Sequence, residues 1–244
     1  MPPRIMASLA SQHPHTRRRT VRKGHNPLAA PVLVFTAVFA VAMLYVGYVL
    51  WPRWPDAPVS LDAPSLPISI AGVAFNIEPA AIRIPSQRHV GMLPKVDLAY
   101  LWPSLKPPDP SLKVIDGKPV NPNERLFATI EPDDGTLPLK ERVDEIYPRY
   151  MTPEPKAGPD GLTLRAFRDG TPYQGEELVF ESGNPAHFLA RCSRQGVTNS
   201  GICLLERRVG SADITFRFPR DWLSDWKRVA DGVDTLMARW RPTN

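Results

Sequence analysis

Hydrophobic and polar positions along the chain fall into three regimes. From Leu28 to Trp51 (LAAPVLVFTAVFAVAMLYVGYVLW) there is no charged residue and no amphipathic rhythm. About 20 apolar residues at 1.5 Å each cross the hydrocarbon core of a bilayer, so this run predicts a transmembrane helix. A proline-rich stretch follows at 52–67 (PRWPDAPVSLDAPSLP), reading as an extended stalk. The second regime is one of short alternating runs. ISIAGVAFNIE predicts a hairpin, with Ile68 and Ile70 before an Ala71-Gly72 turn and Val73, Phe75 and Ile77 after it. VDLAYLW alternates through Val96, Leu98, Tyr100 and Trp102, KVIDGKPV carries an Asp116-Gly117 turn, and RLFATIE reads as another strand. LPLKERVDEIYPRYM breaks the alternation. Leu139, Val143, Ile146 and Tyr150 keep near-helical spacing there, with Pro148 marking the end of a short helix. TPEPKAGPDG at 152–161 reads as a linker or a long loop, leaving open whether 68–151 and 162–240 are separate lobes.

Beyond that segment, LTLRAF, EELVFES, HFLARC, ICLLERRV and ADITFRF are five short β patterns separated by turn chemistry, which predicts an antiparallel sheet. The third regime is helical. In WLSDWKRVADGVDTLMARW, residues Trp222, Leu223, Trp226, Val229, Ala230, Val233, Leu236, Met237 and Trp240 make one apolar face, with Asp221 placed to cap the N-terminus. Gly232 in its middle weakens the isolated helix by about 1 kcal/mol. The helix is therefore expected to gain its stability by packing on the sheet. The expected fold class is α+β: a single transmembrane helix, then an exported β-rich domain with the C-terminal amphipathic helix packed on it. The expected boundaries are a tail at 1–27, the helix at 28–51, the stalk at 52–67 and the domain at 68–244.

Charge fixes the expected orientation. The net charge of +5 would fit a nucleic-acid binder if it were spread over the folded part, but it is not. Residues 1–27 hold six cations (Arg4, Arg17, Arg18, Arg19, Arg22, Lys23) and no acid, leaving 24 of the 30 basic residues to face all 25 acidic ones. Arg17, Arg18, Arg19, Arg22 and Lys23 precede the apolar run and only Arg53 closely follows it, so the positive-inside rule keeps the tail in the cytoplasm. Tyr45, Tyr48, Trp51 and Trp54 gather at the far end as an interfacial aromatic belt. The run is longer than the apolar region of about 7–15 residues in a cleaved signal peptide, and prolines crowd the following segment. A retained signal-anchor in a bacterial inner membrane, with the domain in the periplasm, is the resulting expectation.

That compartment decides how the two cysteines, Cys192 and Cys203, are read. In an oxidising environment they are expected to pair. Folding HFLARC and ICLLERRV as a hairpin puts them directly opposite, with Ala190 facing Leu205. A zinc site would need more ligands than a lone His187 provides.

The search for chemistry returns mostly absences. No GxGxxG, Walker loop, HExxH or GxSxG occurs. Asp133-Asp134-Gly135 lacks the alternating ligands of a calcium loop and reads as a solvated turn. His187, Arg191 and Arg194 could together read an anion, although a mixed-charge strand surface is the plainer expectation. No catalytic, cofactor-binding or metal-binding residue is assigned. The expected role is a non-catalytic binding or accessory subunit of an envelope assembly, with the lipid bilayer and a protein as partners and no nucleic acid. The alternatives are a membrane-anchored periplasmic hydrolase using an acidic pair, and a sensor signalling through the basic tail.

Overall fold

In the computed structural model the described residues are 29–50, 59–109, 114–115, 118–119, 124–194, 196 and 201–242. The chain divides into two units, residues 1–53 and 54–244. The first holds helix α1 (Ala29–Leu50), whose 22 residues rise about 33 Å. It is long and apolar enough to cross a membrane. Thr36 Oγ1 donates to Val32 O (2.8 Å), so the helix satisfies its hydroxyl internally, as an apolar surround requires. Tyr45 and Tyr48 lie near its end with 67% and 63% of their surface exposed. Arg17, Arg18, Arg19, Arg22, Lys23, Trp51 and Trp54 lie outside the described residues.

The second unit is built on an antiparallel sheet of eight strands. In chain order these are β4 (Val96–Leu101), β7 (Arg125–Pro132), β8 (Lys156–Ala157), β9 (Leu162–Ala166), β10 (Glu176–Glu181), β11 (Leu189–Ser193), β12 (Ile202–Val209) and β13 (Ala212–Pro219). Their spatial order is β4-β7-β13-β12-β11-β10-β9-β8. The five strands expected after residue 161 are consecutive neighbours, apart from the path of the first half of the chain, which enters beyond β13. β8 is contributed by the segment 152–161, so strands from both sides of that segment share one sheet. A smaller sheet carries β1 (Leu66–Ile70), β2 (Val73–Ile77) and β3 (Gly91–Met92) in the order β2-β1-β3. Its hairpin has the expected register, Ile70 opposite Val73, with Gly72 at φ +82° in the turn where a side chain would be strained. A short pair, β5 (Val114–Ile115) and β6 (Lys118–Pro119), flanks Asp116-Gly117, a turn that lies outside the described residues.

One face of the large sheet is the main core. Alternate residues from each strand point into it: Val96, Leu98 and Tyr100, then Leu126, Ala128 and Ile130, then Ile214, Phe216 and Phe218. Ile68, Ile70, Phe75 and Ile77 of the small sheet cover part of it, and helix α3 (Trp226–Trp240) covers the rest. The protein is therefore α+β, with the terminal helix packed as its apolar stripe requires. The start of that helix differs from the sequence expectation. Residues Arg220–Asp225 form a 3₁₀ turn, and Asp221 makes no capping bond. Trp222 there stacks on Trp102 (centroids 4.5 Å apart), which holds the chain in the tighter turn before the α-helix begins. Gly232, which costs helix stability, has a packing reason. A Cβ at this position would lie 3.1 Å from Trp102 Cζ3.

Cys192 and Cys203 are joined, fully buried, with Cα atoms 4.0 Å apart and Ala190 opposite Leu205. Closing about 12 residues in this way is worth about 3 kcal/mol on the chain-entropy account.

A chain of polar contacts crosses one end of the core. Trp240 Nε1 donates to Tyr100 Oη (2.9 Å), Tyr100 Oη donates to Glu78 Oε2 (2.9 Å), and Arg239 Nη1 donates to Leu105 O (2.8 Å). Burial, and then the neighbouring Glu78 carboxylate, holds the Tyr100 phenol well above its usual pKa. The unfolded chain therefore ionises Tyr100 first. The stabilisation is complete below about pH 10 and is lost as pH rises from there towards the folded-state value. Tyr100→Phe should flatten the alkaline decline of stability, measured by urea midpoints between about pH 9 and 11. An unchanged slope would refute the linkage.

Candidate binding groove

On the other face of the sheet a second, smaller core forms. The segment expected as one helix is helical but irregular. Helix α2 (Leu139–Glu141) widens into a π-turn at Arg142–Ile146 and tightens into a 3₁₀ turn at Tyr147–Arg149, so Pro148 falls inside the last turn rather than ending the helix before it. This irregularity lets Leu139, Tyr147 and Met151 all reach down onto Phe167, Leu178 and Leu189, although their spacings fit no single helical period. Tyr173 closes the cluster edge-on to Tyr147 (5.0 Å) and Tyr150 (5.7 Å).

Between this helical segment and the turn at residues 183–186 lies a groove of about 460 Å³. That volume is in the range of small-ligand sites, about 300–1,000 Å³. Leu139, Val143, Phe180 and Leu189 give it apolar walls, with Pro185 and Ala186 on the rim. Its charged groups arrive from β12, β13 and the helical segment that begins with α2. Arg142 forms an ion pair with Glu206 and donates from Nη1 to Tyr147 Oη (3.1 Å). Burial raises the Tyr147 phenol pKa, and the nearby Arg142 opposes that rise. Arg208 grips Asp213 with two bonds, Nε to Oδ1 at 2.6 Å and Nη2 to Oδ2 at 2.7 Å, and reaches Asp133 at 3.1 Å. Those bonds to Asp213 raise its own pKa. Asp144 pairs with Lys140 on the rim (3.5 Å).

Arg207 is the odd member. Its guanidinium donates to His187 O (2.7 Å) and Glu206 O (3.2 Å), and no described carboxylate lies within 4.0 Å of it. Burial lowers its pKa, countered only by the charge of Asp234.

Asp133, Asp134 and Asp213 come close enough to hold a cation, with one oxygen from each within 4.8 Å of the others. Two of them, Asp133 and Asp213, are occupied by Arg208. The Asp133-Asp134 turn is locally satisfied as well, with Gly135 N donating to Asp133 (2.7 Å) and Thr136 N to Asp134 (2.9 Å). The bonds from Thr136 hold the Asp134 carboxyl below its ordinary range. The other candidate cluster does not converge. His187 Nδ1 faces Glu181 (2.9 Å), Arg191 faces Glu176 (3.4 Å) and Arg194 faces Asp169 (2.7 Å), each with its own carboxylate. Glu176 and Glu177 are consecutive on a strand and point to opposite faces.

No protein-family model matches the chain, and no curated protein matches it. Among solved structures, the chain resembles an immunity protein of the Stenotrophomonas maltophilia type IV secretion system at a TM-score of 0.54 and 13% identity. The match covers 74% of this chain and 94% of that one. A weaker likeness, at a TM-score of 0.42 and 12% identity over the same shares, is to the Neisseria meningitidis iron-regulated outer membrane lipoprotein FrpD. At 13% identity the first likeness is one of fold: an α+β domain with a large antiparallel sheet.

Proposed function

We propose that this chain is a bitopic inner-membrane protein whose periplasmic domain is a non-catalytic binding subunit of an envelope assembly, with the groove as its binding surface. The observation that carries the reading is the state of the groove's carboxylates. Asp144, Glu206 and Asp213 each lie against a cation of the same groove, while the walls between them are apolar. A general acid or base works from a carboxyl group aimed at the substrate, whereas these three are aimed at neighbouring cations. A paired rim around an apolar floor suits recognition of a protein surface instead. The apolar helix and the buried disulfide support the membrane and periplasmic parts of the reading.

A photo-crosslinking residue placed at Val143 or Ala186 in intact cells tests it. The expected result is a discrete adduct with an envelope protein, absent when the same residue replaces Asp231 on the outer face of α3. Recovery of monomer alone from both groove positions, or of an adduct with a cytosolic protein, would overturn it.

A further inference from the structure

The segment from Arg83 to Lys95 (RIPSQRHVGMLPK) presents apolar side chains to solvent from a firmly held backbone. Met92 is 86% exposed, Val90 59% and Ile84 38%. This is not fraying. Arg88 donates from Nε and Nη2 to Ile82 O (3.0 and 2.9 Å), and Gln87 exchanges two hydrogen bonds with Asp97 (2.8 and 3.2 Å). Arg83 N donates to Asp97 O (2.9 Å), and Leu93 N to Ser69 O (3.0 Å). Gly91, at φ +104°, makes the bend that sets Val90 and Met92 outward. Fixed exposed apolar groups are costly in water unless something covers them.

We propose that this loop rests on an anionic lipid surface, with Val90 and Met92 dipping into the interface. The proposal rests on the membrane-anchor reading above. Three observations select lipid. The segment carries Arg83, Arg88, His89 and Lys95 and no acidic residue. The acids that face it are Asp97 and Glu131, both beside Lys95 (3.7 and 3.9 Å), while Arg83 is laid over the Phe127 ring (4.7 Å). Second, β3 pairs with β1, Met92 opposite Ser69, and β1 is the strand by which the chain enters the domain after the stalk. Fifteen residues separate Leu50 from Leu66, a reach of at most about 50 Å, so a tethered domain meets the bilayer at high effective concentration. Third, two or three side chains are too few for a stable protein interface, which buries about 1,200 Å² or more. They are enough for a contact that a tether already favours.

The test uses the full-length chain in nanodiscs, with an environment-sensitive dye on Met92→Cys. The two native cysteines are paired, so the new thiol takes the label. Discs containing phosphatidylglycerol should shift the dye emission to the blue. Discs of phosphatidylcholine alone should weaken docking about fivefold for each cation no longer attracted. Val90→Asp, a change at an exposed position that leaves the core untouched, should abolish the shift. A dye that stays in water in both lipids overturns the proposal. So does a blue shift that grows with protein concentration in detergent without lipid, which would mean that a second copy covers the patch. If the chain fails to enter discs at all, the anchor reading itself falls and takes this proposal with it.

Discussion

Trp240→Ala should destabilise the β-rich domain by about 3–5 kcal/mol, the range found when a fully buried Trp is truncated. Trp240 is 1% exposed, stacks on Phe216 with ring centroids 5.7 Å apart, and touches the Tyr100 ring at 6.0 Å. Its indole also donates to Tyr100 Oη, so truncation removes a bond as well as opening a cavity. Trp226 ties the other end of α3, donating from Nε1 to Asp160 O (3.1 Å). A helix of 15 residues interrupted by Gly232 does not hold its shape alone, so losing one anchor should loosen the whole element. Against a typical domain stability of about 5–15 kcal/mol the change is large. Trp240→Phe, which keeps an aromatic ring at the stack and loses the N–H and part of the indole's volume, should cost less, about 2 kcal/mol. Urea midpoints of the two variants check this. Equal losses would mean that the stack contributes nothing beyond the hydrogen bond.

How far the fold could be read from the sequence depends on how each element is held. Strands with one buried face announce themselves by a two-residue period, and Cys192 opposite Cys203 follows from two such runs flanking a polar loop. The α3 stripe was equally legible, because one apolar face meets one sheet. Its start was not. Asp221 has the chemistry of a cap, but the packing of Trp222 against Trp102 and Phe218 decides the local geometry, and that contact joins residues 120 positions apart. The spatial position of β4 and β7 beyond β13 was likewise invisible, since an alternating run says which face is buried and not which neighbour it has.

The groove was the least legible part. Glu206, Arg207 and Arg208 read as the charged end of a strand. Arg142, the partner of Glu206, lies 64 residues away on a segment whose helical period is irregular. Charged residues on a strand look the same in sequence whether water or a guanidinium solvates them. The only local signal was a run of charge where the alternation of ICLLERRV should have continued.

The last large effect concerns a pair that the sequence did not single out, Glu177 and Arg220. Glu177 is 7% exposed, and Arg220 Nη2 lies in contact with its carboxylate while Nη1 donates to Ser193 O (2.9 Å). Glu177 stands opposite Cys192, which stands opposite Cys203, which stands opposite Phe218. The ion pair therefore spans the row that contains the disulfide, linking β10 to the turn that follows β13. Removing one partner strands a buried charge. Arg220→Ala is expected to cost about 3–5 kcal/mol, whereas replacing both groups by apolar ones of similar size often costs little. Glu177→Leu with Arg220→Met should thus be more stable than Arg220→Ala alone, although it removes two native side chains rather than one. A double-mutant cycle by urea denaturation, with non-reducing gels confirming that Cys192 and Cys203 stay joined, measures the coupling. If the single losses simply add, the pair is solvated in the folded protein and the row is held by its apolar members and the disulfide alone.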